Sequence, residues 1–321
     1  TLTDEERVVY DEILSCVLNH EPKVSVSTLD KDLLDRCYEA VNADYGGLFW
    51  FDGYVYTIYR LGDETTGLEF APKYTMDYEE RLAMQRSIDA SVEELLNGVS
   101  ISDSDYEKAK YVFDTLVDNV DYDLDAPENQ NIISTFVYRR TVCQGYACAV
   151  QYLLNQLGVE SFIVTGVASG ENHAWNMVLL DGDYYCLDAT WGNSLVSAAE
   201  DVRGKFRNYA YLNVTKEELS KTHRSSSPFV LPETESMEDN YYIKEGLYFS
   251  EWDPDAMGEL ISTAWFSGPQ PITIKLSTAE LFHQAIDYFI TGEHIGDYCP
   301  GLTSYTYLKD TSHNILTVVF S

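Results

Sequence analysis

The chain has 321 residues, more than one typical domain of roughly 100–200 residues uses, and its 45% hydrophobic and 23% charged residues, with 25 Tyr and 13 Phe, exclude a disordered polymer. Its 21 Lys and Arg against 53 Asp and Glu leave a formal charge of −32, a field that repels nucleic-acid phosphates and anionic lipid head groups. No apolar run approaches the roughly 18 residues a membrane helix needs, and six cysteines (Cys16, Cys37, Cys143, Cys148, Cys186, Cys299) are too sparse for a disulfide scaffold.

In chain order, Thr3-Asp4-Glu5-Glu6 has capping-box spacing, and Val9, Ile13, Cys16 and Val17 recur behind it at helical intervals. Leu29, Leu33, Cys37 and Val41 predict a second helix starting at Ser27-Thr28. Aromatic runs on either side of Asp52-Gly53 predict a hairpin over 47–60, and 77–97, closed by Gly98, reads as a long helix. Ser104 to Glu107 repeats the capping-box spacing before a helix that ends at Asp121 to Asp123. A loop over 123–130 precedes an amphipathic helix beyond Thr141, for which Gly158 supplies the C-terminal cap. Strands follow at 161–167, 173–180 and 184–190. From about Asn193 to Pro232 the chain is polar and irregular, with a helical turn or two over 214–219. Beyond Tyr248 the pattern gives a helix at 255–265, a strand at 271–276, a helix at 277–290 and strands at 304–308 and 314–320.

The chemistry concentrates in three short motifs. Cys143 lies in Cys143-Gln144-Gly145-Tyr146 at a predicted helix start, where unpaired N–H groups favour a thiolate, although a cysteine beside an apolar helix is more often a small core residue. His173 opens His173-Ala174-Trp175-Asn176, and Asp188 follows in Asp188-Ala189-Thr190-Trp191. A two-residue Asp181-Gly182 turn sets His173 opposite Thr190 and makes Asp188 its diagonal neighbour, within about 7–8 Å between Cβ atoms. A carboxylate can then orient the imidazole while the ring's other nitrogen faces the thiol.

Cys-Gln-Gly-Tyr, His-Ala-Trp-Asn and Asp-Ala-Thr-Trp, in that order, resemble the transglutaminase-like family of papain-like thiol enzymes, in particular bacterial extracytoplasmic members. The resemblance covers roughly residues 102–192, and Tyr209 to Val214, His223-Arg224 and Tyr241 to Phe249 are similar to tails of bacterial members. It implies an α+β fold with the nucleophile at a helix N-terminus packed on an antiparallel sheet. Residues 1–99 would form an N-terminal helical and hairpin cap, 100–245 the catalytic domain and 246–321 a small C-terminal α+β unit. It also implies Cys143 as nucleophile, His173 as general base and acid, and Asp188 as orienting carboxylate. The implied reaction is thiol-dependent acyl transfer on peptide or protein amides, with hydrolysis favoured over amine cross-linking. A non-catalytic peptide- or glycan-binding module on the same fold is the reading from another class.

The backbone N–H of Cys143 is the natural first oxyanion donor, and Gln144, on the substrate side, is expected to brace the helix start. Trp175 and Trp191 are core aromatics or walls of the acyl site. Cys186 is expected to pack beside the site, His223 reads as part of a surface loop that can reach the cleft, and the acidic run 233–239 as a solvated face. Cys143 and Cys148 lack a second Cys or His pair at ligand spacing, and no glycine-rich phosphate loop is present. The expectation is therefore no metal and no cofactor. The family and the opening at Thr1, without an initiator Met, suggest an extracytoplasmic location and a peptide or protein substrate.

Overall fold

The computed structural model describes residues 2–193, 207–268 and 271–320. Helices α1 (Asp4–Leu18), α3 (Tyr78–Leu95) and α4 (Asp105–Asn119) each begin with a reciprocal capping box, Thr3 with Glu6, Asp77 with Glu80 and Ser104 with Glu107. Helix α2 (Lys31–Asp44) is capped by Asp30 rather than by Ser27-Thr28, so Leu29 stays outside the helix and exposed. Strands β1 (Val24–Ser25), β2 (Phe51–Leu61) and β3 (Glu64–Tyr74) form a sheet in the order β1-β3-β2.

The predicted hairpin at 47–60 is corrected here. Leu61 pairs with Glu64, so the turn is Gly62-Asp63, with Gly62 at φ +64° in the first central position of a type II′ geometry. Gly53, at φ +79°, lies in a register shift between Phe51 and Tyr54. An Asp-Gly pair supplies positive φ equally well to a turn and to a bulge, and strand pairing over eleven residues selected the bulge.

The central sheet runs β8-β7-β6-β9, all antiparallel: β6 (Ser161–Ala168), β7 (Glu171–Leu180), β8 (Asp183–Leu187) and β9 (His223–Ser225). Asp181 and Gly182 form the anticipated two-residue turn, both at positive φ. Helix α5 (Cys143–Gln156) packs on one face, with Gly158 at φ +77° just past its end. Alternation along β7 divides its side chains: Ala174 and Val178 join the α5 core, while Trp175 and Met177 enter a second core with Cys186, Tyr211, Val214, Leu247 and Ile315. The first core also takes in Val9, Ile13, Leu34, Cys37 and Phe70, so the N-terminal helices and α5 bury their apolar faces together.

In the polar stretch from Asn193 to Pro232, residues 194–206 lie outside the described residues; the rest is a 3-10 turn at Tyr209–Tyr211, helix α6 (Lys216–Leu219) and β9. Strand β9 has three residues and no apolar alternation, so periodicity did not mark it. The C-terminal unit is a sheet of β10 (Tyr248–Phe249), β11 (Ile272–Leu276), β13 (Ile315–Phe320) and β12 (Tyr305–Asp310), covered by α7 (Pro254–Phe266) and α8 (Ala279–Ala285), whose last turns widen to a π-helix over Ile286–Thr291. Its buried Lys275 donates to Glu218 of α6 at 2.8 Å, which ties it to the central unit.

Gly166 sets how closely β9 can lie on β6. A Cβ there would stand 2.1 Å from the carbonyl oxygen of Arg224 and 2.7 Å from the Trp175 ring. Gly166→Ala should therefore cost roughly 1–3 kcal/mol of stability, as overpacked sites do. Urea unfolding checks this, and an unchanged midpoint would show that β9 yields without cost.

Candidate active site

Cys143 is the first residue of α5, and Val142, the N-cap, is extended and makes no side-chain cap. The N–H groups of the first turn are thus not taken by a capping side chain, and their dipoles favour negative charge at the sulfur. Contacts of three residues hold this helix start. Thr141 Oγ1 donates to the carbonyl of Asn129 at 3.0 Å and meets Ser134 Oγ at 2.6 Å. Gly145 lies so close to them that a Cβ would fall 1.9 Å from Thr141 Oγ1. Tyr146 donates its hydroxyl to the carbonyl of Val120 and accepts from Asn193 at 2.7 Å.

His173 reaches the site from the opening of β7, and Asn176 on the same strand donates to the carbonyl of Ala147 in α5 at 2.9 Å. That bond fixes the strand bearing the imidazole to the helix bearing the thiol. Asp188 follows β8 directly and caps a short helix over Ala189–Gly192, its Oδ1 accepting from the N–H of Trp191 at 3.1 Å. Its Oδ2 accepts from His173 Nε2 at 2.7 Å. The register predicted from the turn is the one found, since Leu180 pairs with Asp183 and Asn176 with Leu187. The third strand is shorter than expected because Asp188 leaves the ladder to cap a helix, which turns its second oxygen toward the ring.

Burial alone would lower the basicity of His173. Hydrogen bonds to Asp188 and Cys143, reinforced by their charges, overturn that effect and raise its pKa to about 9. Asp188 is 1% exposed, and burial pushes its pKa up, but the hydrogen bonds of His173 and His223 win and hold it at about 2. With Nε2 on the carboxylate, Nδ1 is the ring nitrogen left for the thiol. His173 and Asp188 are thus in direct contact, and Cys143 lies close enough to act on the imidazole.

His223 departs from the surface-loop expectation. It is 2% exposed, and its Nε2 meets Asp188 Oδ2 at 3.0 Å. Its polar neighbours in sequence gave no sign of burial, because the burial comes from pairing of β9 with β6, in which Ala168 faces His223. The rings of Trp175, Trp191 and Tyr211 surround it with centroids at 5.2, 4.9 and 5.8 Å. Trp175 and Trp191 also flank His173, at 6.2 and 6.1 Å, so both wall the imidazole pair while Trp175 contributes to the second core. Cys186 packs in that core, as anticipated.

The donor atoms of His173, Asp188 and His223 lie within 4.8 Å of one another, a set capable in principle of holding a metal ion. Both imidazoles, however, direct Nε2 at one carboxylate oxygen, and these are the atoms a metal would have to take over. Gln144, beside the nucleophile, donates to Cys148 Sγ at 3.5 Å and lines a cleft of about 660 Å³. The cleft walls come from α2 and the start of β2 (Tyr38, Asn42, Phe51), the loop at 128–131, Thr165 of β6 and the segment 226–229.

Residues 93–189 match the transglutaminase-like superfamily. Kyphoscoliosis peptidase of Mus musculus is 29% identical over 132 residues, covering 36% of this chain and 20% of the relative. The Homo sapiens protein of that name is 26% identical over 163 residues, covering 45% and 24%. The chain thus spans about a fifth to a quarter of the length of these curated relatives. A crystal structure of a TGase aligns over 45% of this chain and 47% of its own, at 15% identity and a TM-score of 0.32.

All six cysteines are free, and only Cys143 is not fully buried. Burial raises the pKa of Cys16 and Cys37 to about 11 and of Cys148 and Cys186 to about 12, and raises that of Cys299. Iodoacetamide at pH 7 should therefore alkylate Cys143 first, since thiolate fraction and access set the rate. Peptide mapping of a labelling time course reads this, and uniform labelling of all six would remove the case for a reactive thiol.

Proposed function

We propose that this chain, which carries a transglutaminase-like domain over residues 93–189, is a thiol-dependent acyl-transfer enzyme that hydrolyses peptide or protein amides. The observation that carries the reading is His173, held by Asp188 at 2.7 Å through Nε2, with Asp188 and Cys143 together raising its pKa to about 9. In the proposed cycle the Cys143 thiolate attacks the amide carbonyl and the C–N bond breaks as the His173 imidazolium gives its proton to the leaving amine. Neutral His173 then takes a proton from water, the hydroxide attacks the thioester, and sulfur leaves as thiolate with the ring again protonated. The backbone N–H of Cys143 and its first-turn neighbours supply the oxyanion with donors already in place. Asp188 touches no substrate atom; it orients the ring and stabilises its cation. The cleft beside Gln144 is the substrate path in this proposal, with Trp175 and Trp191 excluding water behind the reacting groups.

The pH dependence has a definite sign. A raised imidazole pKa keeps the leaving-group proton available up to about 9, so kcat/KM should fall as pH rises through that value. Asp188→Asn removes the largest contribution that raises it, so the alkaline limb should move to lower pH and kcat should drop by orders of magnitude, roughly 10²- to 10⁴-fold. A limb that stays in place would mean that another group orients the ring. Cys143→Ala should abolish turnover while changing stability by no more than about 1 kcal/mol. The assay is incubation of the protein with a library of Gln- and Lys-containing peptides and a labelled primary amine, read by mass. Cleaved bonds or loss of ammonia with water uptake support hydrolysis, amine incorporation replaces it with transfer to amines, and no change in any peptide counts against an amide-processing enzyme.

A further inference from the structure

The carboxylate that orients His173 is itself held from behind by a second imidazole and a hydroxyl. Asp188 Oδ2 accepts from His223 Nε2 at 3.0 Å, and His223 Nδ1 meets Thr222 Oγ1 at 2.7 Å. A ring nitrogen facing a carboxylate oxygen carries a proton, so Nε2 is an N–H of His223, and Nδ1 is the nitrogen paired with Thr222. Thr222 Oγ1 also donates to the carbonyl of Leu219 at 3.3 Å. The Tyr211 ring stands beside this pair, its centroid 5.8 Å from that of His223. The chain of contacts is therefore His173, Asp188, His223 and Thr222, of which the first three are buried.

We propose that His223, held at its other ring nitrogen by Thr222, is a second positioning residue of the site: it donates to Asp188 Oδ2 and so sets the place and the charge of the carboxylate that orients His173. This rests on the thiol-enzyme reading of Cys143 and His173. Asp188 has two oxygens and three neighbouring N–H groups, and two of those, His173 and His223, share Oδ2. The two imidazoles stand with ring centroids 5.1 Å apart at 60°, an angle that lets both aim at one atom. Removing His223 leaves His173 as the sole side chain on Oδ2, and the carboxylate is free to rotate about its Cβ–Cγ bond away from the geometry His173 needs. A buried carboxylate short of one donor also takes up a proton more readily, and once neutral it no longer stabilises the His173 cation.

Other titratable groups face this cluster from each packed element. Tyr122 of β4 (Asp121–Tyr122) and Glu171 of β7 lie toward Cys143, while Asp310 of β12, hydrogen-bonded to His313, lies behind Tyr211. None of them contacts Asp188 by a hydrogen bond among the described residues.

The test needs no substrate. The rate of Cys143 alkylation by iodoacetamide is measured from pH 5 to 10 in the full chain, in His223→Ala, His223→Gln and Thr222→Val, each with its melting temperature. Glutathione serves as the reference thiol. His223→Ala should shift the pH profile by about one unit, a roughly tenfold change in rate on its slope. His223→Gln keeps an N–H near the position of Nε2 and should restore most of the original profile. Thr222→Val should produce a smaller shift in the same direction, because the ring then loses the contact that holds its other nitrogen. A folded His223→Ala variant whose profile superimposes on that of the parent overturns the proposal. If that variant does not fold, Thr222→Val decides: a shift supports the positioning role, and superposition overturns it. If the parent Cys143 reacts no faster than glutathione at neutral pH, the thiol-enzyme reading itself fails, an outcome distinct from every failure of His223.

Discussion

A carboxylate almost wholly removed from water, at the junction of a strand and a helix, is the constraint to which the site conforms. Burying an ionised group costs several kcal/mol even after the surroundings relax, and the cost is met only when each oxygen finds donors. Asp188 finds three, the N–H of Trp191 on Oδ1 and the rings of His173 and His223 on Oδ2. Each donor comes from a different part of the chain: the turn after β8, the opening of β7, and the far edge of the sheet. The carboxylate thus fastens three elements, and the ring that faces Cys143 is oriented as part of that fastening. The charge of the whole chain acts in the same direction, because a formal −32 favours the protonated over the neutral imidazole.

The residues around the reacting groups in the three motifs are explained by packing. In Cys143-Gln144-Gly145-Tyr146, the glycine admits Thr141 against the helix start, and the tyrosine anchors the first turn to the end of α4. In His173-Ala174-Trp175-Asn176, the asparagine crosses from sheet to helix, and the tryptophan fills the opposite face beside His223. In Asp188-Ala189-Thr190-Trp191, the tryptophan both donates its backbone N–H to the carboxylate and covers the two imidazoles. Each motif is one chemical group together with the contacts that hold it still, which is what a geometry tolerant of only about 0.5 Å demands.

Local signals made much of this legible in the sequence. Capping boxes placed two helices, a helical run closed by Gly98 placed a third, and the Asp181-Gly182 turn fixed the register that brings His173 to Asp188. What escaped depended on contacts distant in the chain. Asp52-Gly53 has the chemistry of a turn, but the pairing partner of β2 lies ten and more residues beyond it, and the strand ran through. His223 sits among Lys, Thr and Arg in a strand of three residues, too short for alternation to register. Its burial is decided by Gly166, some sixty positions earlier, whose missing side chain lets β9 approach. Asp188 was legible as a partner of His173 but not as a helix cap, since four residues of helix carry no periodicity.

The N-terminal region is joined to the helix that begins at Cys143 by buried hydrogen bonds. Gln151 of α5 donates to the carbonyls of Ala43 and Ser161 and accepts from the N–H of Gly46, so the nucleophile's helix is bonded directly to the end of α2 and the loop after it. Gly46 is seated against the backbone of Cys148, where a Cβ would fall 2.8 Å away. The same loop and the start of β2 form one wall of the cleft beside Gln144. The reacting groups fall within the segment shared with the transglutaminase-like superfamily, whereas that wall is built from residues 38–53, outside it. A change in this wall alters the shape of the cleft without touching sulfur, imidazole or carboxylate. Cys143, His173 and Asp188 and this wall thus belong to different parts of the chain, joined through one buried glutamine.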